Sequence, residues 1–305
     1  MDAVQKSLLR EVADLHDVPS GAYNIRANGK LDSRNTTSNI DIVTKDDKDG
    51  IDIIIKPGTK RESVHIPVVL SESGLQECVY NDFFVGEDAD VTIVAGCGIH
   101  NCGVDTSEHA GIHTFHVGKN AKVRYYEKHY GEGDGNGENV MNPETICYLE
   151  EGASMIMESA QIKGIDSTNR VTKGELKKDA YFEVRESIMT HGKQVAKTDF
   201  DVKLNGENSS TNVISRSVAR DHSVQDFKST IEGNNACHGH SECDAIIMDD
   251  AVVNASPALN ANNIDASLIH EAAIGKIAGE QLIKLMTLGL TEEEAEEQII
   301  NGFLK

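Results

Sequence analysis

The chain has 305 residues, 29 of them basic and 50 acidic, for a formal net charge of −21 at pH 7. An acidic excess of this size, with no local cluster of lysine and arginine, argues against a binder of duplex nucleic acid or of anionic membranes. Length and a hydrophobic content of 39% allow a sizeable core, as one elongated domain or two ordinary ones, and no run approaches the roughly 18 consecutive apolar residues of a transmembrane helix.

The start, MDAVQKSLLREVADLHD, is an amphipathic helix rather than a charged-then-apolar secretory signal. Leu8, Leu9, Val12 and Leu15 share one face and Pro19-Ser20-Gly21 ends the segment, so residues 1–20 are assigned to an N-terminal helix. A cytoplasmic protein is expected. The six cysteines, at 78, 97, 102, 147, 237 and 243, show no disulfide framework and are expected as free thiols.

Helical periodicity then disappears. Residues 21–265 carry short apolar or alternating runs such as Ile51 to Ile55, Val68 to Leu70 and Val91 to Ala95, each closed by turn residues. A signature recurs within them: Val85-Gly-Glu-Asp-Ala-Asp-Val91, Val117-Gly-Lys-Asn-Ala-Lys-Val123, Leu149-Glu-Glu-Gly-Ala-Ser-Met155, Leu176-Lys-Lys-Asp-Ala-Tyr-Phe182 and, more weakly, Leu204-Asn-Gly-Glu-Asn-Ser-Ser210. Its starts step by 32, 32, 27 and 28 residues, a period suited to one coil of a solenoid. Each copy offers an apolar residue, a turn that tolerates left-handed backbone at Asp, Asn or Gly, a small Ala that can point inward at the bend, and a following strand. A single coil cannot bury its apolar face, whereas stacked coils can. The expectation is a mainly β protein with a β-helix core over 21–265, a β-sandwich being the structural alternative.

Helical patterning returns over residues 266–305. Ile274, Ile277, Leu282 and Leu285 predict a helix ending near Gly289, and Thr291-Glu-Glu-Glu294 is a capping box for a second helix carrying Ala295, Ile299 and Ile300, with Gly302 able to stop it. This pair reads as a cap over the last open coil, as a docking surface, or as both.

The densest chemical constellation is Cys237-His-Gly-His-Ser-Glu-Cys-Asp244. In an extended strand, alternation puts Cys237, Gly239, Ser241 and Cys243 on one face and His238, His240, Glu242 and Asp244 on the other. The spacing lacks the tight CxxC pairs of structural zinc sites, so an open thiolate site completed from elsewhere fits better, with His270-Glu271 a candidate for that completion. A second cluster, Cys97-Gly-Ile-His100-Asn-Cys102, is followed by His109, His113 and His116; it reads as a loop able to wrap an ion or as polar residues on a coil edge. Cys78 and Cys147 stand alone in apolar strands and read as core fillers. Gly131-Glu-Gly-Asp-Gly-Asn-Gly137 is too acidic to cradle phosphate and reads as a mobile loop. Phosphate loops, dinucleotide fingerprints, GxSxG and HExxH are absent, so any energy input falls to a partner.

The stretch from Asp226-Phe-Lys-Ser-Thr230 through Cys243-Asp244, His270-Glu271-Ala272 and Gly289-Leu-Thr-Glu-Glu-Glu-Ala295 to Ile300-Asn-Gly-Phe303 resembles the SufB/SufD family of iron–sulfur scaffold proteins. The likeness is closer to SufB, whose members combine a Cys-Asp pair with a later His-Glu pair. It implies a right-handed parallel β-helix and a scaffold, not an enzyme, that builds a transient 4Fe–4S or 2Fe–2S cluster for apo-protein acceptors. Iron and a sulfur donor supply the cluster, and a separate SufC-like ATPase drives its assembly.

Carried over, Cys243 is the sulfur-accepting, cluster-assembly thiol, His270 and Glu271 are its neighbouring ligands, and residues 266–305 dock the ATPase. His240, Cys237, Cys97 and Cys102 are further candidate metal ligands. The chain is similar to the short members of minimal pathways, which implies a homodimer in place of the SufB–SufD pair. Reduced flavin is implied for the full complex, and no motif here carries it. A SufD-like structural partner without its own cluster is the alternative. A carbohydrate-active β-helix is disfavoured by zero Trp and only 5% aromatic residues.

Overall fold

A computed structural model describes residues 1–15 and 19–304. Helix α1 (Ala3–Ala13) is followed by four short strands, β1 (Ala22–Ala27), β2 (Lys30–Asn35), β3 (Ile40–Thr44) and β4 (Gly50–Ile55). The coils proper run through β5 (Lys60–Leu70), β6 (Gln76–Val85), β7 (Asp90–His100), β8 (Ser107–Val117), β9 (Lys122–Glu132), β10 (Asn139–Met141), β11 (Glu144–Leu149) and β12 (Ser154–Lys163). They continue through β13 (Ser167–Leu176), β14 (Tyr181–Thr190), β15 (Val195–Leu204), β16 (Ser210–Ala219), β17 (Val224–Gly233), β18 (Cys237–Ile247), β19 (Val252–Ala261) and β20 (Ala266–Gly275). Helices α2 (Gly279–Met286) and α3 (Glu292–Phe303) close the described chain.

Alternate strands fall into two facing sheets, β2-β1-β5-β7-β9-β12-β14-β16-β18-β20 and β19-β17-β15-β13-β10-β8-β6-β4-β3, with β11 extending β10 between β8 and β13. Among the described residues, pairing is antiparallel in the hairpins β1/β2 and β3/β4 and parallel elsewhere. The result is a β-solenoid of about 8 turns. Its core is the column of inward residues between the sheets, including the stacked rings of Phe83 and Phe115, 4.3 Å apart.

The repeated signature is the bend from one sheet to the other. Asp88, Asn120, Asp179 and Asn208 adopt left-handed backbone at φ 57°, 54°, 56° and 58°, and Gly152 does so at 70°. The next residue, Ala89, Ala121, Ala153, Ala180 or Ser209, is buried at the inside of the corner, where only a small side chain fits.

Helix α1 starts with an Asp2–Gln5 capping box and buries Leu8, Leu9 and Val12 against β5 and β7. Gly96 permits this approach, because a Cβ there would collide with the Val12 carbonyl. The helix is shorter than expected: Asp14 turns left-handed at φ 51° and ends it before Leu15. Of the rest of the expected helix, residues 16–18 lie outside the described residues and residues 19 and 20 are not helical.

At the other end, Ile274 belongs to β20, so the last strand extends beyond 265 and helix begins only at Gly279. Helix α3 has the predicted Thr291–Glu294 capping box and runs through Gly302 to Phe303. It does not cap the last coil. Ile300 is buried beside Met189 and Arg220, and Ser187 donates to the Leu304 carbonyl at 3.0 Å, so the helix lies along β14 and β16. The side chains of β19 and β20 are left largely exposed.

The left-handed corners give a direct test. Asn120→Ala should cost about 1 kcal/mol in urea unfolding and Asn120→Gly close to nothing, because alanine pays for a left-handed backbone that asparagine tolerates and glycine adopts freely.

Candidate functional site

Strand alternation sorts the candidate residues. Along β18, Cys237, Gly239, Ser241 and Cys243 point into the core while His240, Glu242 and Asp244 point outward. Parallel register then sets Glu271 beside Glu242, His270 beside Ser241 and Ala272 beside Cys243. On the outer face, one donor atom each from His240, Glu242 and Glu271 lies within 4.8 Å of the others. His240 Nε2 is 3.6 Å from Glu271 Oε2, and its Nδ1 meets Asn212 Oδ1 at 2.9 Å. Partial burial and the Asp244 carboxylate push the Glu242 carboxyl up, with Arg216 and His240 opposing. A cation would relieve that repulsion, and two carboxylates with one imidazole suit a divalent metal such as iron.

Cys243 is not part of this outer set. It lies 2% exposed in the core, where burial, then Glu186 and Asp244, push its thiol up to about 12. His270 shares the inward parity, and its Nδ1 is buried without a hydrogen-bond partner. Cys237 is buried in the core as well. Of the residues expected to act together, the structure therefore joins Glu271 to His240 and separates both from Cys243 by the thickness of the sheet.

The other thiols divide by the same parity. Cys147 is a core filler as expected, with burial pushing its thiol up. Cys78 is not: the phase of β6 turns it outward, and it is exposed. Cys97 faces inward and is buried, while Cys102 lies beyond the end of β7 and is exposed. His109 and His113 point inward, and His116 points outward, stacked between Phe84 and Tyr148.

Around Cys97 the solenoid interior is polar. Burial opposes ionisation of the thiol, but His109 and then His129 overcome it and bring Cys97 down to about 7. His109, against the same burial, is raised to about 10 by Cys97 and Glu77, whose carboxylate lies 3.3 Å away. The fully buried Arg170 donates to Glu127 at 2.6 Å and to His129 Nδ1 at 2.8 Å, and its Nε lies 3.2 Å from Glu186. Because Arg170 takes the His129 Nδ1 lone pair, the other ring nitrogen carries the proton and supports a thiolate rather than binding a metal. Tyr125 donates to Glu127 at 2.9 Å and pairs with His113 Nδ1 at 2.7 Å; burial lowers His113 to about 4, so this imidazole is neutral.

Ladder pairing extends the polar stripe. Glu127, Ser159, Glu186, Ser215 and Cys243 are successive partners across β9, β12, β14, β16 and β18. Sequence reasoning missed Glu127, His129, Arg170 and Glu186. The available signal was their phase, since Val123, Tyr125, Glu127 and His129 alternate on one face of β9.

The SUF system FeS cluster assembly SufBD core domain matches residues 75–303. The chain belongs to the SufBD family. This SufBD protein is 31% identical over 256 residues to an iron-sulfur cluster assembly SufBD family protein of Methanocaldococcus jannaschii, covering 83% of this chain and 79% of that one. It is 30% identical over 264 residues to a family member from Archaeoglobus fulgidus, covering 85% and 69%. The family's role is in iron–sulfur cluster assembly. No helix among the described residues of this SufBD protein is long and apolar enough to cross a membrane.

Two outcomes follow from the interior charges. The raised His109 contributes stability that is complete below the ordinary histidine range and lost as pH rises through about 10; the lowered Cys97 contributes stability present above the ordinary thiol range and lost as pH falls through about 7. Both groups are charged between those values. Thiolate absorbance, taken as wild type minus Cys97→Ser, should rise through pH about 7, and in His109→Gln the rise should move upward past the ordinary thiol range. Arg170→Met should cost about 3–5 kcal/mol in urea unfolding, because it strands buried carboxylates. Acidification should recover part of the loss as Glu127 becomes free to protonate.

Proposed function

We propose that this SufBD protein is a scaffold on which iron–sulfur clusters are assembled and handed on, working with an ATPase of the SUF system. The observation that carries the reading is the His240–Glu242–Glu271 set, two of whose members lie on β18, the strand that also carries Cys243, and the third on its neighbour β20. Iron is cargo here. Oxygen and nitrogen donors on an exposed face hold it weakly enough to release it, whereas a closed thiolate cage would retain it. Cys243 supplies the sulfur side, accepting sulfur or binding iron once deprotonated. For Cys243 and Glu271 to meet one cluster, the end of the solenoid must rearrange, and that is the work assigned to the ATPase. The product is a 4Fe–4S or 2Fe–2S cluster.

The open end supports a homodimer in this reading. Strands β19 and β20 end their sheets with one free edge each, and Val252, Leu259, Ile264 and Ile269 are exposed there. A second copy would cover both edges and bring a second metal set to the junction. Ile283, Met286 and Leu288 are exposed on and after α2, and they offer the apolar contact for the ATPase.

A SufD-like partner role, without a cluster of its own, is favoured by one observation: Cys243 faces the core with its thiol pushed up to about 12. Anaerobic reconstitution with iron(II) and sulfide separates the two. A scaffold should lose its cluster absorbance in Cys243→Ser and bind iron(II) at least about tenfold more weakly in Glu271→Gln. Unchanged iron and sulfide content in Cys243→Ser would leave the SufD-like role standing. Removing residues 277–305 should abolish co-purification with the ATPase in either case.

A further inference from the structure

Strand β7 ends at His100 and β9 ends at Glu132, and the two are ladder partners. His100 Nδ1 lies 3.1 Å from Glu132 Oε1, and Tyr130 Oη donates to the other carboxylate oxygen at 3.1 Å. The chain then turns back, so that Cys102 Sγ sits 2.9 Å from His100 Nε2 with its thiol exposed. A thiol, an imidazole and a carboxylate thus stand in line, each contacting the next.

The corner that holds them is tightly built. Asn101 is buried; its N–H donates to the Glu132 carbonyl at 2.9 Å, its side-chain amide donates to the Asp105 carbonyl at 2.9 Å, and its Oδ1 accepts from Gly103 N at 3.1 Å. The Gly131–Gly137 segment, expected as a mobile acidic loop, is layered directly on this turn. Gly135 N donates to the Asn101 carbonyl at 3.2 Å, and Asn136 N and Gly137 N donate to the Gly103 carbonyl at 2.9 and 3.0 Å. A Cβ at Gly133, Gly135 or Gly137 would run into the carbonyls of Asn101, Gly103 or Asp105. The glycines are what let one loop seat the other, and with it Cys102.

Metal chelation does not account for the line. Sulfur and carboxylate meet opposite nitrogens of a single ring, so one ion cannot take all three. The order is instead that of a nucleophile, a base and the group that orients the base. Acyl transfer would need a pair of free backbone donors for an oxyanion, and the N–H groups on either side of Cys102, those of Asn101 and Gly103, are already engaged. Exchange at sulfur develops no oxyanion and needs only a thiolate and a leaving thiolate.

We propose that Cys102, His100 and Glu132 form a thiol-exchange site whose substrate is the S–S bond of a low-molecular-weight disulfide or persulfide. His100 Nε2 takes the thiol proton and Cys102 Sγ attacks one sulfur of the pair. A new S–S bond forms to Cys102 as the old one breaks. The electron pair of the broken bond leaves on the other sulfur, which recovers the proton from His100. A disulfide yields a mixed disulfide on Cys102; a persulfide attacked at its outer sulfur yields Cys102 persulfide and the free small thiol. No outside oxidant or reductant enters. Glu132 is a positioning residue that holds the His100 ring in the orientation that accepts from the thiol. The exchange requires nothing of His240, Glu242, Glu271 or Cys243, so it goes beyond the scaffold reading and stands without it.

The test uses the full chain, reduced and then exposed to glutathione disulfide or to glutathione persulfide, with alkylation and peptide mapping at intervals. Cys78, also exposed, is the reference thiol in the same molecule. Cys102 should be modified at least about tenfold faster than Cys78 at pH 7. His100→Gln should bring Cys102 down to the rate of Cys78 without altering Cys78 itself, which reports an intact fold. Glu132→Gln should slow Cys102, and Glu132→Asp should recover part of the rate. His100-dependent modification by either reagent supports the site, and the faster reagent identifies the electrophile it accepts. Equal rates at Cys102 and Cys78 in wild type, or an undiminished Cys102 rate in folded His100→Gln, would overturn it.

Discussion

In-register parallel pairing decides, at every position of the solenoid, which of two faces a side chain occupies. One residue along the strand is the whole difference between core and solvent. Glu242 and Cys243 are neighbours in sequence, yet one faces the outer metal set and the other the interior stripe. Because Glu271 is the ladder partner of Glu242, it shares the outer face whatever its own side chain prefers. The stacking that makes a core from coils too thin to have one also sorts the chemistry of β18 and β20, with the hard donors His240, Glu242 and Glu271 outside and the Cys237 and Cys243 thiols inside.

The interior set is unusual in what it asks of the fold. Arg170 sits fully buried between Glu127 and Glu186, and a second charged pair, Cys97 and His109, lies nearby. Well-packed apolar side chains of similar size would hold a solenoid together at least as firmly, since desolvating such groups consumes much of what their attraction returns. Stability is therefore a poor explanation for the polar stripe. Its local effect is clearer: His109 and His129 bring the interior thiol of Cys97 down to about 7, whereas Cys243, at the end of the Glu127–Glu186 ladder row, is pushed up to about 12.

The bends were legible in the sequence because two constraints coincide there. Left-handed backbone selects Asp, Asn or Gly, and the inside of a corner selects Ala, so the pair repeats wherever the chain turns. The alternation of Cys237 through Asp244 was legible for the same kind of reason, and with it the separation of Cys243 from His240. Other readings failed where one pattern serves two structures. Ile274 and Ile277 sit at helical spacing, yet Ile274 is the end of a strand whose partner, Ala245, is fixed by the ladder. Cys78 lies among apolar residues, but the phase of β6 turns it outward. The buried Arg170 carried no local mark, because its partners Glu127 and Glu186 are distant in sequence and meet it only across the solenoid.

The open end brings the remaining features into one place. An edge strand in water satisfies its free backbone groups with solvent, but a long edge with apolar side chains is an invitation to pair. Here β20 contributes both the free edge and Glu271, one of the three outer donors that converge within 4.8 Å. Whatever pairs with that edge must lie close to the metal set, exclude part of its water, and strengthen the repulsion between Glu242 and Asp244 until a cation neutralises it. Under the proposed reading, pairing at this edge and cation binding at the His240–Glu242–Glu271 set would be linked through the same few carboxylates. Helix α3, folded back along β14 and β16 rather than over the last coil, leaves room for that pairing to occur.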